Sequence, residues 1–161
     1  MGGILFIDEA YALVQGENDS FGKEAIDQLV AEMENNRQNL VVILAGYTKD
    51  IDEFLKNNQG LRSRVPKDLF FEDYNMEELY EIALSMLKGK NLNPTEDAKQ
   101  ELRARLLVEC MRPDFGNDRG VRNIVEKIWR KQNVRIANLL KERGEDITDE
   151  MILQVEKEDV M

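Results

Sequence analysis

The fold is decided by the segment Gly2-Gly3-Ile4-Leu5-Phe6-Ile7-Asp8-Glu9. Its apolar run, with β-branched members behind a glycine pair, predicts a strand that is buried on both faces of a sheet. The carboxyl end of such a strand lies at the sheet edge where ligands bind. An Asp there can hold Mg²⁺, and an adjacent Glu can orient and polarise an attacking water. The segment therefore predicts a metal role for Asp8 and a water-activating role for Glu9, with a solvated strand end as the alternative.

Helices and strands alternate after this segment. Apolar residues at helical spacing predict an amphipathic helix over residues 21–35. Residues 40–45 predict a second fully apolar strand, which Gly46 closes. A short helix over residues 51–56 and a third, shorter strand over residues 69–71 complete the pattern. This order is typical of a parallel α/β sheet with right-handed crossovers.

The pattern becomes helical after Asn75. Asn75 and Glu78, three residues apart, predict a capping box for a helix that runs to about Lys88 and stops at Gly89. The chain as a whole is therefore predicted to be α/β followed by all-α.

Two further helices are predicted in the second part. They cover residues 94–111 and residues 119–143, and Gly144 is the predicted stop of the second. Residues 147–161 carry apolar side chains among acids, and their pattern fits a short strand as well as a helical turn.

Composition excludes several classes of function. The 161 residues carry a formal net charge of −10, which argues against binding to the nucleic-acid backbone or to anionic membrane. The absence of histidine rules out Ser-His-Asp catalysis and Cys/His zinc sites. No apolar run approaches the ~20 residues that span a bilayer, so no membrane insertion is expected. The one cysteine, Cys110, is predicted to be a buried structural thiol in a reducing, cytoplasmic compartment.

Five short motifs carry a family resemblance. They are Phe-Ile-Asp-Glu-Ala-Tyr-Ala-Leu, Ala-Ile-Asp-Gln-Leu, Val-Val-Ile-Leu-Ala-Gly-Tyr, Gly-Leu-Arg-Ser-Arg and Val-Arg-Asn. In this order they resemble the CbbX/CfxQ group of AAA+ ATPases, which includes red-type Rubisco activases, stage V sporulation protein K and type VII secretion ATPases. The resemblance spans residues 1–143. It implies a hexameric ring that uses ATP and Mg²⁺ to remodel a protein client, without choosing the client.

The resemblance implies roles for the strand ends. Asp8 and Glu9 correspond to the Walker B acids, with Asp8 as the metal ligand and Glu9 facing the attacking water. Tyr47, with Thr48 beside it, falls at sensor 1, between these acids and the γ-phosphate. The usual sensor asparagine is missing, so a plain strand-to-helix loop is the alternative. An α/β subdomain over residues 1–73 and a helical lid over residues 74–161 are the implied domains.

Arginines supply the remaining implied roles. Arg64 is the expected arginine finger, with Arg62 in reserve, because a planar and permanently charged guanidinium suits the charge that develops in phosphoryl transfer. A solvated basic turn is the alternative. Arg119 is favoured over Arg122 as the sensor 2 residue of the lid, and an N-capped helix with surface arginines is the alternative there.

A phosphate-binding loop is missing from the sequence. Gly-x-x-x-x-Gly-Lys-Ser/Thr, whose amides would cradle the phosphates, does not occur. Residues 16–24 have one residue too many between the glycines and a Glu where Mg²⁺ needs a hydroxyl. In the family this stretch resembles pore loop 2, which implies that Glu17, Asp19 and Phe21 line a central channel. A mobile acidic loop is the alternative.

The missing loop leads to three expectations. The chain is expected to be the C-terminal part of a larger protein and not to hydrolyse ATP alone. The AAA+ sheet order implies that it keeps strands 3, 4 and 5 with exposed edges, so its α/β part should reorganise, dimerise or be poorly stable. A nonhydrolytic interaction module derived from the AAA+ fold is the alternative function.

Overall fold

The structure, a computed structural model, describes residues 2–14, 16, 19–143 and 147–161. Contacts divide the chain into two compact units, one up to Phe70 and one over Phe71–Met161. The first unit contains strand β1 (Gly3–Ile7), a 3₁₀ turn (Ala10–Leu13), helix α1 (Ser20–Asn35), strand β2 (Leu40–Leu44), and helices α2 (Thr48–Asn57) and α3 (Gln59–Arg62). The second contains α4 (Met76–Gly89), β3 (Asn93–Pro94), α5 (Glu96–Glu109), α6 (Asp118–Arg143), α7 (Asp149–Leu153), β4 (Gln154–Val155) and α8 (Lys157–Val160).

The two predicted apolar strands pair in the first unit. β1 and β2 are parallel, with Gly3 opposite Leu40 and Ile7 opposite Leu44. The small core beside them has five buried apolar side chains among the described residues. They are Ala10, Ile26, Phe54, Leu55 and Leu61. The predicted class, α/β followed by all-α, is confirmed.

One face of this two-stranded sheet is open. The prediction of a strand buried on both faces is wrong, because Ile4 is 72% exposed and Phe6 is 60% exposed. Their register partners Val41 and Ile43 lie on the same face and are also exposed. Within the described residues, the core packs only against the other face, where Ile7 and Leu44 are half-buried. We call the surface of Ile4, Phe6, Val41 and Ile43 the open face.

The third predicted strand does not form. Residues 66–75 are irregular, and the side chains of Leu69, Phe70 and Phe71 are largely exposed. A strand needs a neighbour to satisfy its backbone hydrogen bonds, and the described part of the chain pairs none with this segment. High strand propensity alone therefore does not produce a strand here.

The capping box of α4 is confirmed. Asn75 Oδ1 accepts a hydrogen bond from Glu78 N at 3.1 Å, and Glu78 Oε2 accepts one from Asn75 N at 2.8 Å. The predicted stop is wrong in detail, because Gly89 is the last helical residue. The left-handed residue that follows the helix is Asn91, with φ 58°. Asparagine tolerates this conformation better than most residues do.

The second unit encloses a larger core. α5 begins two residues later than predicted, with Thr95 as its N-cap and Pro94 in β3. Cys110 is half-buried rather than buried, because Leu107, Val108 and Met111 beside it point to solvent and only Leu106 enters the core. The buried apolar residues of this core are Leu79, Ala83, Leu87, Leu92, Ala98, Leu102, Leu106, Val121, Ile124, Val125, Ile128, Val155 and Val160.

The C-terminal segment contains both a strand and helical turns. β4 pairs in parallel with β3, and Val155 and Val160 are almost fully buried. Asp159, only 2% exposed, receives hydrogen bonds from Arg135 Nε at 3.1 and 3.0 Å, and Arg135 Nη2 lies 2.9 Å from its Oδ2. Arg105 Nη1 donates to the carbonyl of Val160. These contacts fix α8 to α5 and α6. The predicted stop at Gly144 lies outside the described residues.

Candidate functional site

The ends of β1 and β2 are joined by backbone hydrogen bonds. Ala45 N donates to Ile7 O at 2.8 Å, and Ala10 N donates to Ala45 O at 3.1 Å. The pair Asp8-Glu9 is thereby held beside residues 45–47. Two predicted parts of the site, the acids and the sensor 1 segment, come together at this edge.

Glu9 has a strained backbone. Its φ and ψ are both 47°, in the left-handed region that costs a non-glycine residue about 1 kcal/mol or more. Its N–H donates to Asp8 Oδ1 at 3.0 Å. Such strain persists only where surrounding contacts enforce it, and here the Ala10–Ala45 bond follows immediately. Both carboxylates are exposed.

The two acids suit a magnesium ion that keeps several waters. Carboxylate oxygens are ligands that Mg²⁺ prefers, and Mg²⁺ is commonly held by one or two carboxylates together with substrate phosphates. Asp8 Oδ1 is engaged by Glu9 N, whereas no hydrogen bond reaches Oδ2 within the described residues. In that same part of the chain, no group of three or more acidic or sulfur side chains could hold a metal. Asp8 therefore offers one ligand and not a complete cage.

Tyr11 joins this edge, although sequence reasoning did not select it. A Cβ on Gly46 would lie 2.6 Å from Tyr11 Cε1, so the missing side chain at Gly46 lets the ring approach the loop. Burial raises the pKa of the Tyr11 phenol, and the carboxylates of Glu9 and Asp50 raise it further. The sequence feature that could have identified Tyr11 is its position in the quoted motif, two residues after Glu9.

Tyr47 and Thr48 begin α2. Tyr47 is the N-cap residue, its carbonyl accepts a hydrogen bond from Ile51 N at 2.9 Å, and its ring is 70% exposed. Thr48 is the first helical residue. Both follow Ala45, which the backbone hydrogen bonds join to Ile7 and Ala10 on either side of the acids, and the Tyr47 ring is exposed.

Arg62 and Arg64 lie at the end of α3. Arg62 forms a two-pronged ion pair with Asp68, with Nη1 to Oδ1 at 3.0 Å and Nη2 to Oδ2 at 3.2 Å. This hydrogen bonding lowers the pKa of the Asp68 carboxyl. Arg64 Nη1 donates to Gly60 O at 3.0 Å, and its Nε lies 3.4 Å from Glu34 Oε2.

The lid arginines belong to the second unit. Arg119 is the second residue of α6 and is exposed, and no carboxylate within the described residues pairs with its guanidinium. Arg122 Nη2 is 3.9 Å from Asp118 Oδ2, which is a loose surface pair. Gly120 allows the helix start to pack, because a Cβ there would lie 2.2 Å from Phe115 O.

Asn117 connects the start of α6 to the start of the second unit. Its backbone is left-handed, with φ 53°. Its Nδ2 donates to Asp73 Oδ1, and its Oδ1 accepts a hydrogen bond from Tyr74 N at 3.1 Å. The segment that enters α4 and the residue two positions before Arg119 are thereby held together.

The predicted pore-loop residues lie at the start of α1. Phe21 is 82% exposed, and Asp19 caps the helix by accepting a hydrogen bond from Gly22 N at 2.9 Å. Glu17 lies outside the described residues. Away from all predicted site residues, an open groove of about 560 Å³ runs between α6 and α8.

Two family profiles cover this chain. The family described as "ATPase family associated with various cellular activities (AAA)" matches residues 2–73, and the AAA lid domain matches residues 75–161. The chain belongs to the AAA+ ATPase family. Members of this family bind nucleotide with Mg²⁺ and generally assemble into rings. No helix in the described part of this AAA+ chain is long and apolar enough to cross a membrane.

Curated relatives confirm the resemblance to the CbbX/CfxQ group. This AAA+ chain is similar to protein CbbX of Cereibacter sphaeroides, with 44% identity over 84% of this chain and 44% of that protein. It is 42% identical to stage V sporulation protein K of Bacillus subtilis over 84% of this chain and 43% of that protein. The ESX-1 secretion system protein EccA1 of Mycobacterium leprae is 45% identical over 91% of this chain and 27% of that protein. The chain thus spans about half or less of the length of these relatives.

Proposed function

We propose that this chain supplies the magnesium and water half of an ATPase site in a ring-forming protein that remodels a protein client. The observation that carries the proposal is the bond from Ala10 N to Ala45 O, which holds Asp8 and the strained Glu9 beside residues 45–47. Acids at the end of one parallel strand, next to the end of another, match the place where ligands bind in such sheets.

Each residue has one task in this proposal. Asp8 would hold Mg²⁺, which would neutralise charge on the phosphates when it is bound. Glu9 accepts a hydrogen bond from the attacking water and polarises it. Tyr47, with Thr48 beside it, contacts the γ-phosphate side of the site. Both stand at the start of α2 and are accessible.

Arginines complete the site in the proposed hexameric ring. Arg64 reaches the phosphates bound by the neighbouring subunit, where it stabilises the charge of the transition state. Arg119 reaches the phosphates from the lid, and its guanidinium is not engaged by another described side chain. The sequence carries no Gly-x-x-x-x-Gly-Lys-Ser/Thr loop, so this chain is proposed to be inactive until a phosphate-binding half is supplied.

Calorimetry tests the inactivity of the chain. Isothermal titration of residues 1–161 with Mg-ATP is expected to show no binding with a Kd near 1 μM. Such a Kd would correspond to a binding free energy of about −8 kcal/mol. A micromolar dissociation constant would contradict the claim that the phosphates are held by a separate half.

A fusion tests the chemistry. The phosphate-binding half of a relative, joined ahead of this chain, is expected to hydrolyse ATP. Glu9→Gln in that fusion should lower kcat about 10²–10⁴-fold while nucleotide binding persists, because it removes the group that polarises water. Glu81→Gln, at an exposed position on α4, is the matched control and should leave kcat unchanged. Unchanged turnover in Glu9→Gln would contradict the water-activating role of Glu9, whereas a fusion that binds ATP without hydrolysing it would favour the nonhydrolytic interaction module.

A further inference from the structure

Two arginines that stand two positions apart are held in different ways. Arg62 and Arg64 both follow the core residue Leu61, and both side chains reach solvent. Either could extend toward a neighbouring subunit on position alone. Their hydrogen bonds distinguish them.

Arg62 is committed to one partner. Two of its terminal nitrogens meet the two oxygens of Asp68 at 3.0 and 3.2 Å. A two-pronged pair of this kind fixes the plane of the guanidinium as well as its position. Using Arg62 on a phosphate would require both bonds to break, because the same fork of donors would be needed there.

Arg64 is held by weaker and less complete contacts. Its Nη1 donates to the Gly60 carbonyl at 3.0 Å and lies 3.4 Å from Ser63 Oγ. Its Nε is buried and has no hydrogen-bond partner, although Glu34 Oε2 is 3.4 Å away, because the two atoms are not aligned. A buried donor without an acceptor is unfavourable, so Arg64 is held less firmly in this resting position than Arg62 is by its two-pronged pair.

We infer that Asp68 is a positioning residue that keeps Arg62 out of the neighbouring site, so that Arg64 alone serves as the finger. Glu34 holds Arg64 at rest until a phosphate replaces it. The phosphate offers Arg64 Nε the acceptor that it lacks in the resting position. This inference rests on the proposed function for its role in hydrolysis, but the difference between the two arginines belongs to the isolated chain.

Arginine side-chain NMR tests this difference without ATP hydrolysis. The ¹⁵N-labelled chain is titrated with inorganic tripolyphosphate, and the Nε–H signals of Arg62 and Arg64 are followed. Arg64 should respond at a roughly tenfold lower concentration than Arg62, because Arg62 must first leave a charge-assisted pair. Equal responses of the two signals in the wild-type chain would overturn the inference.

Variants of the carboxylates sharpen the test. In Asp68→Asn, Arg62 should respond at the same concentration as Arg64, whereas Asp68→Glu should restore the wild-type difference. Asp52→Asn is the matched control, because Asp52 also acts on Arg62 through its charge but does not hold the fork. If Asp52→Asn releases Arg62 as fully as Asp68→Asn does, general charge explains the effect and positioning by Asp68 is wrong.

Activity of the ATPase fusion gives a second readout. Arg64→Ala should lower kcat about 10³-fold or more, and Arg62→Ala should leave it near the wild-type value. Adding Asp68→Asn to Arg64→Ala should recover part of the lost rate by freeing Arg62. A fusion that is inactive without any substitution would contradict the proposed function while the NMR result still decides the inference. An active fusion with equal losses in Arg62→Ala and Arg64→Ala would contradict only the inference.

Discussion

The two units of this AAA+ chain use apolar residues in different ways. The helical unit buries thirteen apolar side chains in one core, whereas the α/β unit buries five within the described residues. Apart from its glycine, β1 consists of apolar residues alone, yet Ile4 and Phe6 remain on the open face. An apolar segment is buried only where another element packs against it, so hydrophobicity alone does not predict burial.

The largest expected effect concerns the buried ion pair of the helical unit. Asp159→Ala removes the buried carboxylate from the guanidinium of Arg135, whose side chain is 16% exposed. Breaking one side of a buried pair typically costs about 3–5 kcal/mol. The free energy of unfolding can be measured in urea by the fluorescence of Trp129, since it is the one tryptophan of the sequence and lies in α6.

Glu158→Ala is the matched control for this substitution. Glu158 also approaches Arg135, at 3.7 Å, but its side chain is 65% exposed. Exposed pairs contribute about 0–1 kcal/mol, so this variant should unfold almost like the wild type. If both variants lose the same stability, the helical unit does not depend on the buried pair and the contrast between the units weakens.

A smaller effect is expected where α6 begins. Gly120→Ala places a Cβ 2.2 Å from Phe115 O, a backbone atom that cannot move aside alone. Overpacking of this kind costs about 1–3 kcal/mol, measured again by Trp129 fluorescence in urea. Gly89→Ala, at the end of α4, meets nothing within 4 Å and should be neutral or stabilising by up to about 1 kcal/mol. Equal losses in both variants would mean that helix packing at Phe115 is not the constraint.

The smallest effect on stability is expected on the open face. Phe6→Ser should change the unfolding free energy of the α/β unit, followed by circular dichroism, by less than about 1 kcal/mol. It should instead reduce self-association in light scattering, because exposed apolar patches associate with other chains. Val134→Ser removes a similarly exposed side chain from α6 and should leave association unchanged. A wild-type chain that is a monodisperse monomer with a high melting temperature would contradict this expectation.

Local signals predicted most of the fold. The capping box at Asn75 and the first two strands followed from residues close together in sequence. The helix ends were missed by only a residue or two, and the larger errors arose where the outcome depended on partners distant in sequence. Residues 69–71 have strand propensity but find no neighbour, and Cys110 lies in an apolar stretch that α5 turns toward solvent.

The candidate site also contains residues that the sequence could identify and residues that it could not. Asp8 and Glu9 could be selected because a strand followed by two acids is a local pattern with a chemical meaning. No local pattern of this kind pointed to Tyr11, Glu34 or Asp68. The ring of Tyr11 meets a glycine that follows a different strand, and Glu34 meets Arg64 thirty positions away. Such contacts exist only after the chain has folded.

The hydrogen bonds of Asn117 determine how Arg119 would respond to a rotation of the preceding chain. The amide of Asn117 hydrogen-bonds Asp73 and Tyr74, so the chain that enters the helical unit is tied directly to the turn that carries Arg119. If the chain rotated about the residues before Asp73, the connection between Asp73 and Arg119 would not absorb the rotation. Such a rotation would therefore displace the Arg119 guanidinium directly.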